Sequence, residues 1–169
     1  MLERELVERW RRRDFCEGCP YRGRARVGPA GSLKSAIVIV GQCPGKTEAQ
    51  TGIPFTGKAG YRLNKLLLDA GLKREDLYIT NVVKCFVEPG ESVDKKAIRH
   101  CRKFLDLELE ALNPKLLIAL GRVAEDTLQS YQGRVFPMVH PAAALRNPLH
   151  EARLRIQTKE LKIVLDKLS

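Results

Sequence analysis

Residues 37–60 read IVIVGQCPGKTEAQTGIPFTGKAG. With Ala36 in front, the run up to Gly41 is continuous, apolar and β-branched. That is the pattern of a strand buried on both faces of a parallel sheet. The loop that follows contains GQCPGKT, close to a nucleotide-binding P-loop. A Walker loop places four residues between its first glycine and its Gly-Lys pair, a length that wraps backbone amides around a phosphate. Here only Gln42, Cys43 and Pro44 separate Gly41 from Gly45 and Lys46. Pro44 also has no amide hydrogen to offer. No later strand ends in an acidic residue that would help hold magnesium; KLLIALGR, residues 115–122, ends in glycine and arginine. The loop is glycine-rich for another purpose.

Outward from this stretch, strands alternate with helices. Residues 60–72, GYRLNKLLLDAGL, carry apolar residues at helical spacing and close on Gly71. LYITNVV (77–83), KLLIALG (115–121) and RVFPMVH (134–140) read as further strands. Between them, 94–112 reads as a helix stopped by Asn113-Pro114, and 122–130 as a short helix. PAAALRNP reads as a loop and 149–168 as a basic terminal helix. Residues 2–13 read as an amphipathic helix with Leu2, Leu6, Val7 and Trp10 on one face. This alternation predicts one α/β domain spanning 1–169, with a central four-stranded parallel sheet flanked by helices on both faces. No repeat, low-complexity segment or linker interrupts it.

The net charge is +10 and the pI about 9.6. This suits a polyanionic partner such as nucleic acid, or simply a lysine- and arginine-rich surface. The basic clusters 9–13, 21–26, 95–96 and 99–103 are spread along the chain, and RGRAR with the last helix are the expected phosphate contacts. No apolar run approaches membrane-spanning length. The first residues are too charged for a secretory signal. The expectation is a soluble cytoplasmic, nucleoid-associated monomer with no membrane partner.

Five cysteines occur, at 16, 19, 43, 85 and 101. Disulfides are disfavoured inside cells. Cys16 and Cys19 form C-x-x-C, a spacing that lets two thiolates grip one metal or cluster. Cys85 and Cys101 supply two more. Zinc and an iron–sulfur cluster both fit four such ligands; a redox pair beside two buried thiols is the other reading.

In parallel sheets, ligands bind beyond the carboxyl ends of the strands. Those ends deliver Gln42, Asn81 and His140 to one edge, with Phe55 arriving from the glycine loop. An amide, an imidazole and an aromatic face are the groups that read and hold a planar base.

Taken together, the motifs resemble the iron–sulfur (family 4) uracil-DNA glycosylases. The resemblance rests on CEGCP at 16–20, GQCPG at 41–45, Glu48, GIPFTGKAG at 52–60, YITNVVKC at 78–85, Pro89-Gly90, Cys101, PKLLIALG at 114–121 and HPAAALRNP at 140–148. It implies that Phe55 stacks on a flipped base, Asn81 reads its edge, and His140 hydrogen-bonds a base carbonyl as the leaving group gains charge. It implies that Gln42 and Cys43 border the base. Gly57 and Lys58 open a helix whose N-terminus can favour a phosphate. Leu145 and Arg146 would enter the duplex. It also implies that Cys16, Cys19, Cys85 and Cys101 hold a structural [4Fe–4S] cluster, zinc being the alternative.

The chain departs from that family where the second residue of the GQCPG motif is usually glutamate. Gln42 cannot act as a base, and Glu48 is the nearest remaining carboxylate, able to orient or activate water or merely to cap a helix. The implied function is excision of a deaminated base, uracil first, from damaged DNA. A glycosylase for another base such as hypoxanthine, and a non-catalytic iron–sulfur DNA-binding protein, are the alternatives. Of the other residues, His100 and His150 read as exposed, Trp10 as packing the first helix, and Cys43 as a small buried thiol rather than a nucleophile.

Overall fold

The computed structural model describes residues 2–169, the side chain of Leu2 excepted. Strands β1 (Ile37–Gly41), β2 (Tyr78–Asn81), β3 (Leu116–Leu120) and β4 (Val135–Met138) form one parallel sheet in the order β2-β1-β3-β4. The helices are α1 (Leu2–Arg11), α2 (Lys46–Thr51), α3 (Lys58–Asp69), α4 (Lys95–Leu112), α5 (Arg122–Thr127), α6 (Pro141–Ala144) and α7 (Pro148–Leu168). None among the described residues is long and apolar enough to cross a membrane.

The period of two along the strands divides the core. Val38 and Val40 pack with Leu117 and Ala119 against Leu105 and Leu109 of α4. Ile39, Ile79 and Ile118 face the other way, onto Leu63, Leu66 and Leu67 of α3 and Leu154 and Leu161 of α7. Each such buried side chain stabilises the fold by about 1.5–3 kcal/mol. The sheet is therefore covered on both faces, as the strand pattern requires. The free edge of β2 is met by Ala30, which exchanges two backbone hydrogen bonds with Ile79. The other edge strand carries Pro137, a residue tolerated only at an edge.

Three local readings change. Residues 46–51, left within the glycine loop by the sequence pattern, form α2. The stretch PAAALRNP is not a loop: α6 occupies Pro141–Ala144, and Asn147 caps α7 by accepting from the Leu149 amide at 2.9 Å. In both helices proline fills the first turn, where its missing amide hydrogen has no partner to lose. On α1, Leu6 is buried and Trp10 packs against Phe104 in a tilted pair, but Val7 faces solvent.

A buried ion pair joins the sheet to α4. The Lys84 ammonium, just past β2, meets the Glu108 carboxylate, and both side chains are almost wholly enclosed. Lys84 also donates to Thr80 Oγ1 at 2.7 Å and to the Asn81 carbonyl. Tyr78 donates to the second oxygen of Glu108 at 2.9 Å. Breaking such a pair from one side strands a buried charge. Glu108→Leu is expected to lower the unfolding free energy by about 3–5 kcal/mol. The joint K84M/E108L variant should recover most of that loss in urea denaturation. A double variant as unstable as the single one would show that the charges do not act as a unit.

Candidate active site

β1 lies between β2 and β3, so the chain leaves the sheet in opposite directions on its two sides. Parallel sheets open a crevice at such a switch point, beyond the carboxyl ends of the strands. Here that crevice is a cleft of about 530 Å³, bordered by Gln42, Phe55, Asn81 and His140 among others. Each comes from a different segment: Gln42 follows β1, Asn81 ends β2, His140 follows β4, and Phe55 lies between α2 and α3.

Gly41 makes this convergence sterically feasible. It is in register with Asn81. A Cβ at position 41 would lie 2.5 Å from both Asn81 Oδ1 and Phe55 Cζ. No side chain fits there without displacing one of them. Asn81 is 3 % exposed, and its Oδ1 has no hydrogen-bond partner. A buried, unpartnered amide oxygen carries a desolvation penalty until a donor reaches it. Its backbone carbonyl is meanwhile held by Lys84.

The Phe55 ring lies 5.7 Å from the His140 ring, at an interplanar angle of 26°. His140 caps α6: its Nδ1 accepts from the Ala142 amide at 3.0 Å. Nδ1 thus presents its lone pair, and in the neutral ring the proton resides on Nε2. Burial, reinforced by the positive charge of Arg146, pushes the imidazole pKa down to about 4. At neutral pH the ring is an uncharged donor rather than a cation.

The remaining predicted residues fall around this centre. Gln42 hydrogen-bonds Cys43, whose thiol burial pushes up to about 11. So high a value leaves the thiol protonated and weakly nucleophilic. Glu48 stands in the first turn of α2 and borders the cleft. Its carboxylate lies against the bare α-carbons of Gly45 and Gly57, with positions for a Cβ only 3.3 and 3.6 Å from Oε2. Gly57 caps α3 and Lys58 opens it, exposed. Arg146 borders the cleft, and Leu145 projects beside it, 51 % exposed.

Cys16, Cys19, Cys85 and Cys101 line a second cavity, together with Trp10 and Phe104. Segment 16–27 is laid along 84–86 by backbone bonds from Val27 to Lys84 and from Phe86 to Ala25, both 2.8 Å. Cys101 comes from α4. Burial, and then the neighbouring thiols of Cys101, Cys16 and Cys19, push Cys85 up to about 11. Among the described residues no three of His, Cys, Asp or Glu are grouped closely enough to hold a single metal ion.

Two readings of surface residues are corrected here. His100 is not an exposed helix residue; its Nδ1 lies 2.8 Å from the Phe15 carbonyl, pinning the segment before Cys16. In the RGRAR cluster, Arg24 is committed to Glu91 at 2.9 and 3.1 Å and lies over the Tyr21 ring, while Arg26 bonds the Trp10 carbonyl and covers its ring. These two arginines brace the cysteine segment and are not free for phosphate. Sequence reasoning also missed Lys84 and Glu108. The signal for Glu108 was present: it lies at helical spacing between Leu105 and Leu112, a carboxylate within an apolar stripe.

Known proteins give the same picture. The sequence profile of the Uracil DNA glycosylase superfamily matches residues 29–167. The type-4 uracil-DNA glycosylase of Thermotoga maritima is 35 % identical over 158 residues, covering 82 % of this chain and 82 % of that protein. Its namesakes from Pyrobaculum aerophilum and Archaeoglobus fulgidus are 33 % and 34 % identical, over 79 % and 72 % of this chain and 81 % and 73 % of their own. With the profile matching residues 29–167 and relatives a third identical over most of their length, the chain belongs to the uracil-DNA glycosylase superfamily.

Proposed function

We propose that this protein is a monofunctional glycosylase that removes uracil from DNA, working as one domain. The observation that carries this reading is the unpartnered amide oxygen of Asn81 beside a neutral imidazole and an aromatic ring, all in one cleft. The Asn81 amide would accept from a ring N–H and donate to the adjoining carbonyl. Uracil presents that pair; cytosine presents the reverse. Phe55 would stack on the extruded base, and Leu145 would fill its place in the helix, returning part of the flipping cost.

In the reaction the bond between C1′ and the base nitrogen breaks, and its electron pair passes to the base. Negative charge collects on the base carbonyl next to that nitrogen. His140 would donate from Nε2 to this oxygen, a contact that strengthens as the charge develops. Its neutrality matters, because an imidazolium would give its proton away instead of sharing it. The sugar cation is then captured by water, which Glu48 at the border of the cleft would orient and deprotonate. Gln42 would contribute an amide contact and no charge. Gly57 and Lys58 at the start of α3, with Arg146, would meet the DNA backbone.

The four cysteines fit a [4Fe–4S] cluster. All four line one cavity, and each would supply its thiolate to one iron. Arg26, Arg13 and Arg22 lie near Cys16 and would offset the thiolate charge. The cluster's contribution is cross-linking: it would fasten segment 16–27 to the end of β2 and to α4. Loop 86–91, which borders the cleft, is itself tied to Arg24.

Base release from oligonucleotides carrying uracil, hypoxanthine, xanthine or no lesion, single- and double-stranded, tests the function. Uracil release is expected, falling about 100- to 1,000-fold in His140→Ala, with a comparable loss in Asn81→Ala. Release of hypoxanthine alone would move the specificity; release of none would make the protein a binder. Because His140 is neutral well below its ordinary range, the single-turnover rate should show no inflection from this group at about pH 6.5. The same depression affects stability. The unfolded chain takes up a proton that the folded ring refuses, so the contribution is complete above about pH 6.5 and is lost toward pH 4, by up to about 3 kcal/mol. A pH titration of the unfolding midpoint, wild type against His140→Ala, reads it. For the metal, purified protein should absorb near 400 nm, and cluster removal should raise amide exchange selectively over 14–27 and 86–101. Zinc without that absorbance would overturn the cluster assignment.

A further inference from the structure

Phe55 is one of the few non-glycine residues in the left-handed backbone region, with φ of +54°. A bulky residue rarely adopts that conformation unless its surroundings impose it. Two features do so. Gly60 lets the Phe55 backbone approach so closely that a Cβ at 60 would lie 1.9 Å from the Phe55 carbonyl oxygen. The second is Arg74, in the short 3₁₀ turn Arg74–Asp76 that leads into β2. Its Nη1 donates to the Phe55 carbonyl at 2.7 Å and to Asn64 Oδ1 at 3.1 Å, and its Nη2 donates to the Pro54 carbonyl.

We propose that Arg74 is the positioning residue of the stacking ring: its guanidinium fork holds the Pro54 and Phe55 carbonyls, and so fixes the Phe55 ring in the cleft. The inference rests on the glycosylase reading for its effect on rate, but not for its geometry. Three features single out this arginine. Arg74 does not itself line the cleft; it lines a separate crevice with Ala30, Gly31 and Glu75. Its fork serves two successive carbonyls, one bonded through each terminal nitrogen. The ring so held is the one that touches both Gly41 and His140. Lysine carries its donors on one nitrogen and lacks the planar fork, so it cannot reproduce this paired geometry.

The test combines a double-mutant cycle with a spectroscopic readout. Arg74→Ala should slow single-turnover uracil release on the order of ten- to a hundredfold, the usual effect of misplacing a positioned group. Affinity for undamaged duplex should stay unchanged, because Phe55 meets only an extruded base. In a Phe55→Ala background the same substitution should cost nothing further. Methylguanidinium should restore part of the rate to Arg74→Ala and none to Phe55→Ala. Arg74→Lys should fall between, and it carries the cycle if Arg74→Ala does not fold. Independently of activity, the His140 ring protons should lose the ring-current shift imposed by Phe55 when Arg74 is replaced. Losses that multiply in the double variant, as they would if Arg74 acted through Glu48, overturn the proposal. So does an unchanged His140 ring-current shift. Wild-type protein that releases no base would sink the glycosylase reading, while the His140 signals would still decide the role of Arg74.

Discussion

The Lys84–Glu108 ion pair is the constraint through which the parts of this protein hold one another. An ammonium and a carboxylate, both nearly devoid of solvent, tolerate burial only while each satisfies the other. Lys84 fulfils that condition with further bonds to Thr80 and to the backbone of Asn81. The end of β2 at Asn81 is thereby tied to α4. Lys84 also precedes Cys85, and Cys101 lies on α4 seven residues before Glu108. The same lysine therefore bonds the strand end at the cleft and lines the cysteine cavity.

The cleft is built by omission as much as by contact. Gly41 and Gly60 withhold side chains where the chain would otherwise clash, and Phe55 occupies the space between them. The polar groups left in that space are few and poised. Asn81 lacks a partner for its oxygen, and His140 is kept uncharged by burial and by Arg146. A pocket of this kind favours a planar ligand that brings its own N–H and carbonyl, and disfavours one that needs a cation. Positive charge stands at the border of the cleft, at Arg146, and at exposed Lys58 where α3 begins.

Much of this was legible in the chain. The central strands were readable because a parallel sheet buried on both faces demands unbroken apolar runs, as in β1 and β3. Gln42, Asn81 and His140 were readable as neighbours because parallel strands deliver their carboxyl ends to one edge. The helices α2 and α6 were not, since six and four residues give too short a window for periodicity. Nor were Arg24 and Arg26 readable as internal braces. An arginine's charge is visible in sequence, but the carboxylate and the ring that claim it lie up to 67 positions away.

The sequence by itself determined the alternation of strands and helices, the glycines at the turn after β1, and the residue types able to read a base or bind a metal. These depend on local periodicity and on chemistry carried by single side chains. Tertiary structure decided the protonation state of His140, the left-handed turn at Phe55, the fork of Arg74 beneath it, and the pairing of Lys84 with Glu108. Each depends on burial or on partners brought together by the fold, and neither quantity exists in the chain until the sheet has closed between its helices.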